Sequence, residues 1–195
     1  HFKEIPIQIV SNKKDLSKVR EITSKFKILD PVLGGKKRQE SVYNGLISIE
    51  SLNPKYVLIH DTARPLVSSK VLNKLLEYIQ KEIICVVPTL NIRDAIRTRS
   101  KNLVTKVVSK QNKILIQTPQ LCNYKVLVDA HKTSDIFHED ESSLFLSNGM
   151  KVIAIEGDPL TLKITYKKDL ILLEPHLFNK NINYITKIGN GFDIH

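Results

Sequence analysis

The chain has 195 residues, 42% hydrophobic and 26% charged, an ordinary mixture for a globular unit large enough to bury a core. No apolar run is long enough to cross a bilayer and the first residues lack the layout of a secretory leader, so a soluble, cytoplasmic chain is expected. The net charge of +10 favours anionic partners, but Lys13-Lys14, Lys36-Lys37-Arg38 and Lys167-Lys168 are scattered clusters with few aromatics between them, which fits solvated surface better than a nucleic-acid face.

Residues 5–10 read as a strand, and residues 14–26 as a helix with Val19, Ile22 and Phe26 on one face. Gly34-Gly35 marks a turn before a helix over 39–51, whose Val42, Leu46 and Ile49 share a face. A compact strand follows at 56–60. Ser68-Ser69 can cap the next helix, which leads to a strand at 83–87. Residues 91–116 break the rhythm: Ile96, Val104, Val107 and Val108 lie among polar residues, as in an extended hairpin arm that a partner chain could cover. Helices are expected over 123–131, 141–146 and 167–173, with a strand over 151–155. Strands alternating with helices imply an α/β fold with a Rossmann-like, mostly parallel sheet covered on both faces, plus the protruding arm. Pro175 and the Asn-rich run to 186 read as a linker after a first domain at 1–174. Cys85 and Cys122 lie far apart and belong to no CxxC pair, so neither a disulfide framework nor a zinc knuckle is suggested.

In doubly wound sheets ligands gather beyond the carboxyl ends of the strands. Three segments there stand out. In Gly34 to Leu46 a glycine pair lets backbone approach a ligand and the following helix offers its N-terminus to an anion, although a plain turn into a helix reads the same way. In His60-Asp61-Thr62-Ala63-Arg64-Pro65 a carboxylate at a strand end can take a divalent ion and a guanidinium three residues on can hold a phosphate; the bland alternative is a capped surface turn. Lys163, between Leu162 and Ile164, would point from a strand toward either solvent or a site.

In this order, and together with Pro88 to Asp94, Thr118-Pro119-Gln120 and Asp140-Glu141, these segments resemble the methylerythritol phosphate cytidylyltransferases. That resemblance spans nearly all of residues 5–174. It implies the nucleotide-diphospho-sugar transferase type of fold and transfer of CMP from CTP to 2-C-methyl-D-erythritol 4-phosphate, with ribitol 5-phosphate the alternative acceptor. It carries over Gly35, Lys36, Ser41 and Thr62 as nucleotide contacts, and Asp61 as the ligand of Mg²⁺. Arg64, Thr118, Glu139 and Thr165 become acceptor contacts, and Asp61, Lys163 and Lys110 catalytic residues. The resemblance also implies a homodimer joined through the 91–116 arm.

The match has gaps. The family's glycine-rich loop would precede everything present, so this chain alone is expected to turn over poorly. Lys110 stands where the family usually has arginine, giving up a bidentate fork. Ala95 and Glu139 each replace a threonine. Residues 187–195 resemble the opening strand of the cyclodiphosphate synthases, where Asp193 and His195, two residues apart on one strand face, would bind zinc. A bifunctional parent follows from that reading.

Overall fold

The computed structural model describes residues 5–178. Its strands are β1 (Val10–Ser11), β2 (Val32–Leu33), β3 (Tyr56–Ile59), β4 (Cys85–Asn91), β5 (Ile96–Ser100), β6 (Leu103–Val108), β7 (Ile114–Ile116), β8 (Gln120–Asn123) and β9 (Val152–Glu156). Its helices are α1 (Leu16–Thr23), α2 (Arg38–Ser48), α3 (Ser69–Leu76), α4 (Tyr124–Thr133), α5 (Glu141–Ser147) and α6 (Lys167–Phe178). The α/β alternation expected from the sequence is present. The sheet is mixed rather than mostly parallel, which corrects that part of the expectation.

The main sheet runs β3-β8-β4, with β9 on the far edge of β4 and β7 continuing the line of β8. Within this sheet only β4 and β9 pair in parallel, while β3 with β8, β4 with β8 and β4 with β7 are antiparallel; β1 and β2 form a separate parallel pair. The reason lies in the arm. The chain leaves β4, makes the β5–β6 hairpin and must come back against its own direction, so β7 pairs the end of β4 and β8 fills the gap between β3 and β4. Between β7 and β8, Gln117 still donates its N–H to the Pro88 carbonyl at 2.8 Å, and Thr118-Pro119 is a cis peptide.

The two faces of β4 follow the period of two. Cys85 and Val87 pack with Leu46, Leu127, Leu144 and Phe145 beneath α2, α4 and α5, whereas Val86 joins Val71, Leu75, Leu121 and Ile155 beneath α3. Cys85 and Cys122 face each other across the β4–β8 ladder with sulfurs 3.8 Å apart, and both are free and fully buried. They serve as small apolar residues of the core.

Several helix ends are fixed by local chemistry. Ser68 accepts from the Val71 N–H at the start of α3, as its position suggested, and Asn123 does the same for Val126 at α4. Asp140 and Ser143 form a reciprocal capping box on α5. At the end of the described chain, α6 runs through Pro175 to Phe178, so the expected boundary at 174 falls inside a helix. The remainder of the expected linker, and the strand carrying Asp193 and His195, lie outside the described residues.

The β5–β6 hairpin is the expected arm. It pairs Ile96 with Val108 through Ser100 with Leu103, with a register shift at Thr98/Arg99. Leu103, Val104 and Val107 are 72%, 73% and 77% exposed.

Candidate active site

The loop leaving β3 turns tightly, with the Arg64 N–H on the Asp61 carbonyl at 3.0 Å. Its Asp61 carboxylate is the centre of a cluster of cations drawn from three segments. Arg38, the first residue of α2, places Nε 3.2 Å from Oδ1. Lys163 brings Nζ to 3.2 Å from Oδ2, and Arg64 sets Nε 3.7 Å from the same oxygen. Burial works to raise the Asp61 carboxyl, but Arg38 and Lys163 outweigh it and hold it below the usual carboxylate range. At 3.7 Å Arg64 Nε is beyond hydrogen-bond reach and, although buried, has no hydrogen-bond partner. A shift of about half an ångström in the carboxylate would supply one.

Arg38 reaches further. Its Nη1 and Nη2 donate to the Glu141 carboxylate at 2.8 and 3.0 Å, a bidentate fork onto a side chain only 2% exposed. Burial opposes the guanidinium charge, yet the two carboxylates raise its pKa above the ordinary arginine value. Glu141 opens α5, and that helix is set in place by Gln120: its Nε2 donates to Asp140 Oδ2 at 2.9 Å and its Oε1 accepts from the Ser142 N–H at 3.0 Å.

Lys163 was expected on a strand. It lies instead in an irregular extended segment between β9 and α6, which is tied to the Asp61 loop by the Ile164 N–H donating to the Ala63 carbonyl at 2.8 Å. No strand ladder is needed to aim it, because that one backbone bond puts its side chain beside Asp61. Arg64 is braced by its Nη1 on the Thr161 carbonyl at 2.9 Å.

Other expected site residues divide as follows. Gly35 donates its N–H to Ser41 Oγ at 3.1 Å, and a β-carbon on Gly35 would collide with Glu40 Cβ, so this position requires glycine on packing grounds. The Lys36 N–H donates to Glu40 Oε2 at 2.8 Å, closing the loop over the start of α2. Thr62 is exposed at the turn, one residue from Asp61. Thr118 does not stand open to a ligand: it is 3% exposed, and its hydroxyl accepts from the Asp61 N–H at 3.0 Å and lies 3.0 Å from His60 Nδ1. Lys110 sits at the base of the arm and donates to the Arg93 carbonyl at 2.7 Å, so within one subunit it joins the arm rather than Asp61. Glu139 is exposed just before the α5 cap, and Thr165 gives its N–H to Asp169 Oδ2 at 2.8 Å at the start of α6. Sequence reasoning placed Arg38 in a solvated basic cluster, whereas its side chain is only 16% exposed, and it assigned no role to Glu141. Both lay inside segments singled out for the resemblance, and only their pairing, 103 residues apart, was invisible.

The family model for 2-C-methyl-D-erythritol 4-phosphate cytidylyltransferase, IspD, matches residues 3–178. The chain belongs to that family. Within it, the chain is 38% identical over 185 residues to the 2-C-methyl-D-erythritol 4-phosphate cytidylyltransferase of Clostridium beijerinckii, covering 92% of this chain and 79% of that one. It is also 36% identical over 189 residues to the bifunctional enzyme IspD/IspF of Pelagibacter ubique, covering 97% of this chain and 47% of the relative. Among solved structures, the 2-C-methyl-D-erythritol 4-phosphate cytidylyltransferase of Thermus thermophilus superposes with a TM-score of 0.74 at 28% identity, over 90% of this chain and 83% of that one. The chain spans less than half the length of the bifunctional relatives it matches. The IspD family and its fusions are consistent with use of a divalent metal. Among the described residues no helix is long and apolar enough to cross a membrane.

Proposed function

We propose that this chain carries the site for transfer of CMP from CTP to 2-C-methyl-D-erythritol 4-phosphate, releasing pyrophosphate, in non-mevalonate isoprenoid synthesis. The observation that carries the reading is the convergence of Arg38, Arg64 and Lys163 on one carboxylate at the mouth of the sheet. Two polyanions must meet there, and three cations against the Asp61 and Glu141 carboxylates leave one positive charge over for them. A phosphate oxygen of the acceptor attacks the α-phosphorus of CTP, the bond to the bridging oxygen of the β-phosphate breaks, and pyrophosphate leaves with that oxygen. The attacking phosphate is already ionised, so no general base is required.

A magnesium ion would have to be held largely through the substrate, because Arg38 and Lys163 already face the two oxygens of Asp61. Asp61 is a hard oxygen ligand, and among the described residues no group of three or more His, Cys, Asp or Glu side chains gathers as an all-protein cage would need. Asp61 would hold the ion. When bound, the ion neutralises charge on the phosphates. Lys163 exchanges its contact with Asp61 for a phosphate oxygen, Arg64 orients the acceptor phosphate, and the Gly35 to Ser41 loop faces the base.

The arm is read as a dimer contact. Leu103, Val104 and Val107 are exposed apolar residues on a hairpin that buries little against its own subunit, with Val104 and Val107 on one face, and a second copy of the chain would cover them. A cytoplasmic location goes with this reading, as does a zinc-binding cyclodiphosphate synthase unit after residue 186. The test is release of pyrophosphate from CTP with 2-C-methyl-D-erythritol 4-phosphate or ribitol 5-phosphate and Mg²⁺, in the longest form of the chain that its gene encodes. Release that depends on the first acceptor supports the reading. No release, or release only with ribitol 5-phosphate, overturns it.

A further inference from the structure

His60 lies directly before Asp61, and no step of the transfer calls on it. Its ring nevertheless closes a circuit. The Asp61 N–H donates to Thr118 Oγ1 at 3.0 Å, that hydroxyl lies 3.0 Å from His60 Nδ1, and His60 Nε2 lies 3.0 Å from the Arg64 carbonyl oxygen. A carbonyl can only accept, so Nε2 carries the proton. Nδ1 is then the acceptor, and the Thr118 hydroxyl, already accepting from Asp61, donates to it. Every donor in the circuit meets an acceptor, and only this tautomer achieves that.

The circuit joins the two charged residues of the loop through something other than their own ion pair, which at 3.7 Å is loose. Thr118 holds the Asp61 backbone from the neighbouring strand break, and the ring spans from Thr118 to the far end of the turn at Arg64. The Ile164 N–H bonds the Ala63 carbonyl between them, so the segment that presents Lys163 is anchored to the same loop.

We infer that His60 is a positioning residue of the site: as the Nε2–H tautomer it bridges Thr118 and the Arg64 carbonyl, and so fixes the separation of Asp61 and Arg64 and the approach of Lys163. This rests on the transferase reading given above.

Three variants separate its two links. His60→Asn keeps a short acceptor for Thr118 and loses the reach to Arg64. His60→Gln can reach the Arg64 carbonyl with its amide N–H and loses the acceptor. His60→Phe keeps the ring shape and loses both. The assay is steady-state pyrophosphate release in the longest form of the chain that the gene encodes, with melting temperature measured alongside and two-bond ¹H–¹⁵N correlation of the His60 ring in the wild type. Expected are the Nε2–H tautomer, a kcat loss of about 10- to 100-fold in His60→Phe with a smaller change in KM for CTP, and partial rescue in at least one amide variant. Full kcat in a folded His60→Phe protein overturns the proposal. So does a proton on Nδ1 alone, which is read without any activity. A kcat loss that only tracks a fall in melting temperature across all three variants also overturns it. A wild type that releases no pyrophosphate counts against the transferase reading instead, and the ring spectrum still decides the bridge.

Discussion

Replacing Arg38 by methionine tests a buried ion pair made between residues 103 apart in the chain. The substitution leaves Asp61 with Lys163 at 3.2 Å, but it strips both hydrogen bonds from Glu141, whose side chain is 2% exposed. Breaking a buried pair by removing one partner costs about 3–5 kcal/mol. Glu141 sits in the first turn of α5, where the helix field returns a few tenths of that, so about 3 kcal/mol is expected at pH 8. Burial already pushes the Glu141 carboxyl above its ordinary value, and without Arg38 it rises further. A carboxyl with a raised folded pKa binds protons more readily in the folded state, so stability falls as pH rises from its unfolded value toward the folded one. Arg38→Met should therefore be less damaging at pH 5 than at pH 8. Combining it with Glu141→Leu removes the orphaned charge and should bring stability back to within about 1 kcal/mol of the wild type. Urea unfolding measures this directly: for a slope of about 2 kcal/mol/M, the single variant loses roughly 1.5 M in midpoint at pH 8. A single variant within about 0.5 kcal/mol of wild type, or a double variant no better than the single one, would refute the reasoning.

His131 packs against Tyr43 with its Nε2 buried and without a hydrogen-bond partner; burial, Arg38 and His138 push its pKa down to about 4. Protonation therefore favours the unfolded chain, and stability present above pH 6.5 should be lost as pH falls toward 4, by about 1–2 kcal/mol at pH 5 once partial exposure is allowed for. Unfolding of His131→Phe at pH 7 and pH 5 should lack that share. Gly35→Ala sets a β-carbon against Glu40 Cβ and should cost about 1–3 kcal/mol in thermal unfolding, because the first turn of α2 must move. Ser68→Ala removes the cap on α3 and should cost about 1 kcal/mol. Val107→Glu, on a residue 77% exposed, should leave the subunit's melting unchanged while sedimentation shows loss of the dimer; an unaltered dimer would refute the arm as the contact.

Much of the site was legible in advance because its residues follow strands or open helices in short, dense segments. Asp61, Arg64 and Lys163 were each singled out in the sequence, and the structure brings Arg64 and Lys163 to 3.7 and 3.2 Å from the Asp61 carboxylate. The arm was legible as well, since Ile96, Val104, Val107 and Val108 set among polar residues break the alternation of strands and helices. Thr118 was expected to meet the acceptor, and its burial against Asp61 and His60 was not legible from its segment. Arg38 and Glu141 were passed over because each, taken alone, is an ordinary charge at a helix start.

The sequence by itself determined most of the local units: many of the runs that form strands and helices, and where Ser68 caps one of them. Those follow from side-chain periodicity and hydrogen-bonding capacity over a few neighbours. Only the tertiary structure decided that β7 and β8 run antiparallel into the sheet, that Lys163 is aimed by a backbone bond to Ala63 rather than by a strand, and that Arg38 bridges Asp61 to Glu141. Each of these is a choice of partner far along the chain, set by the direction in which the arm returns the backbone and by the need to pair every charge that folding buries.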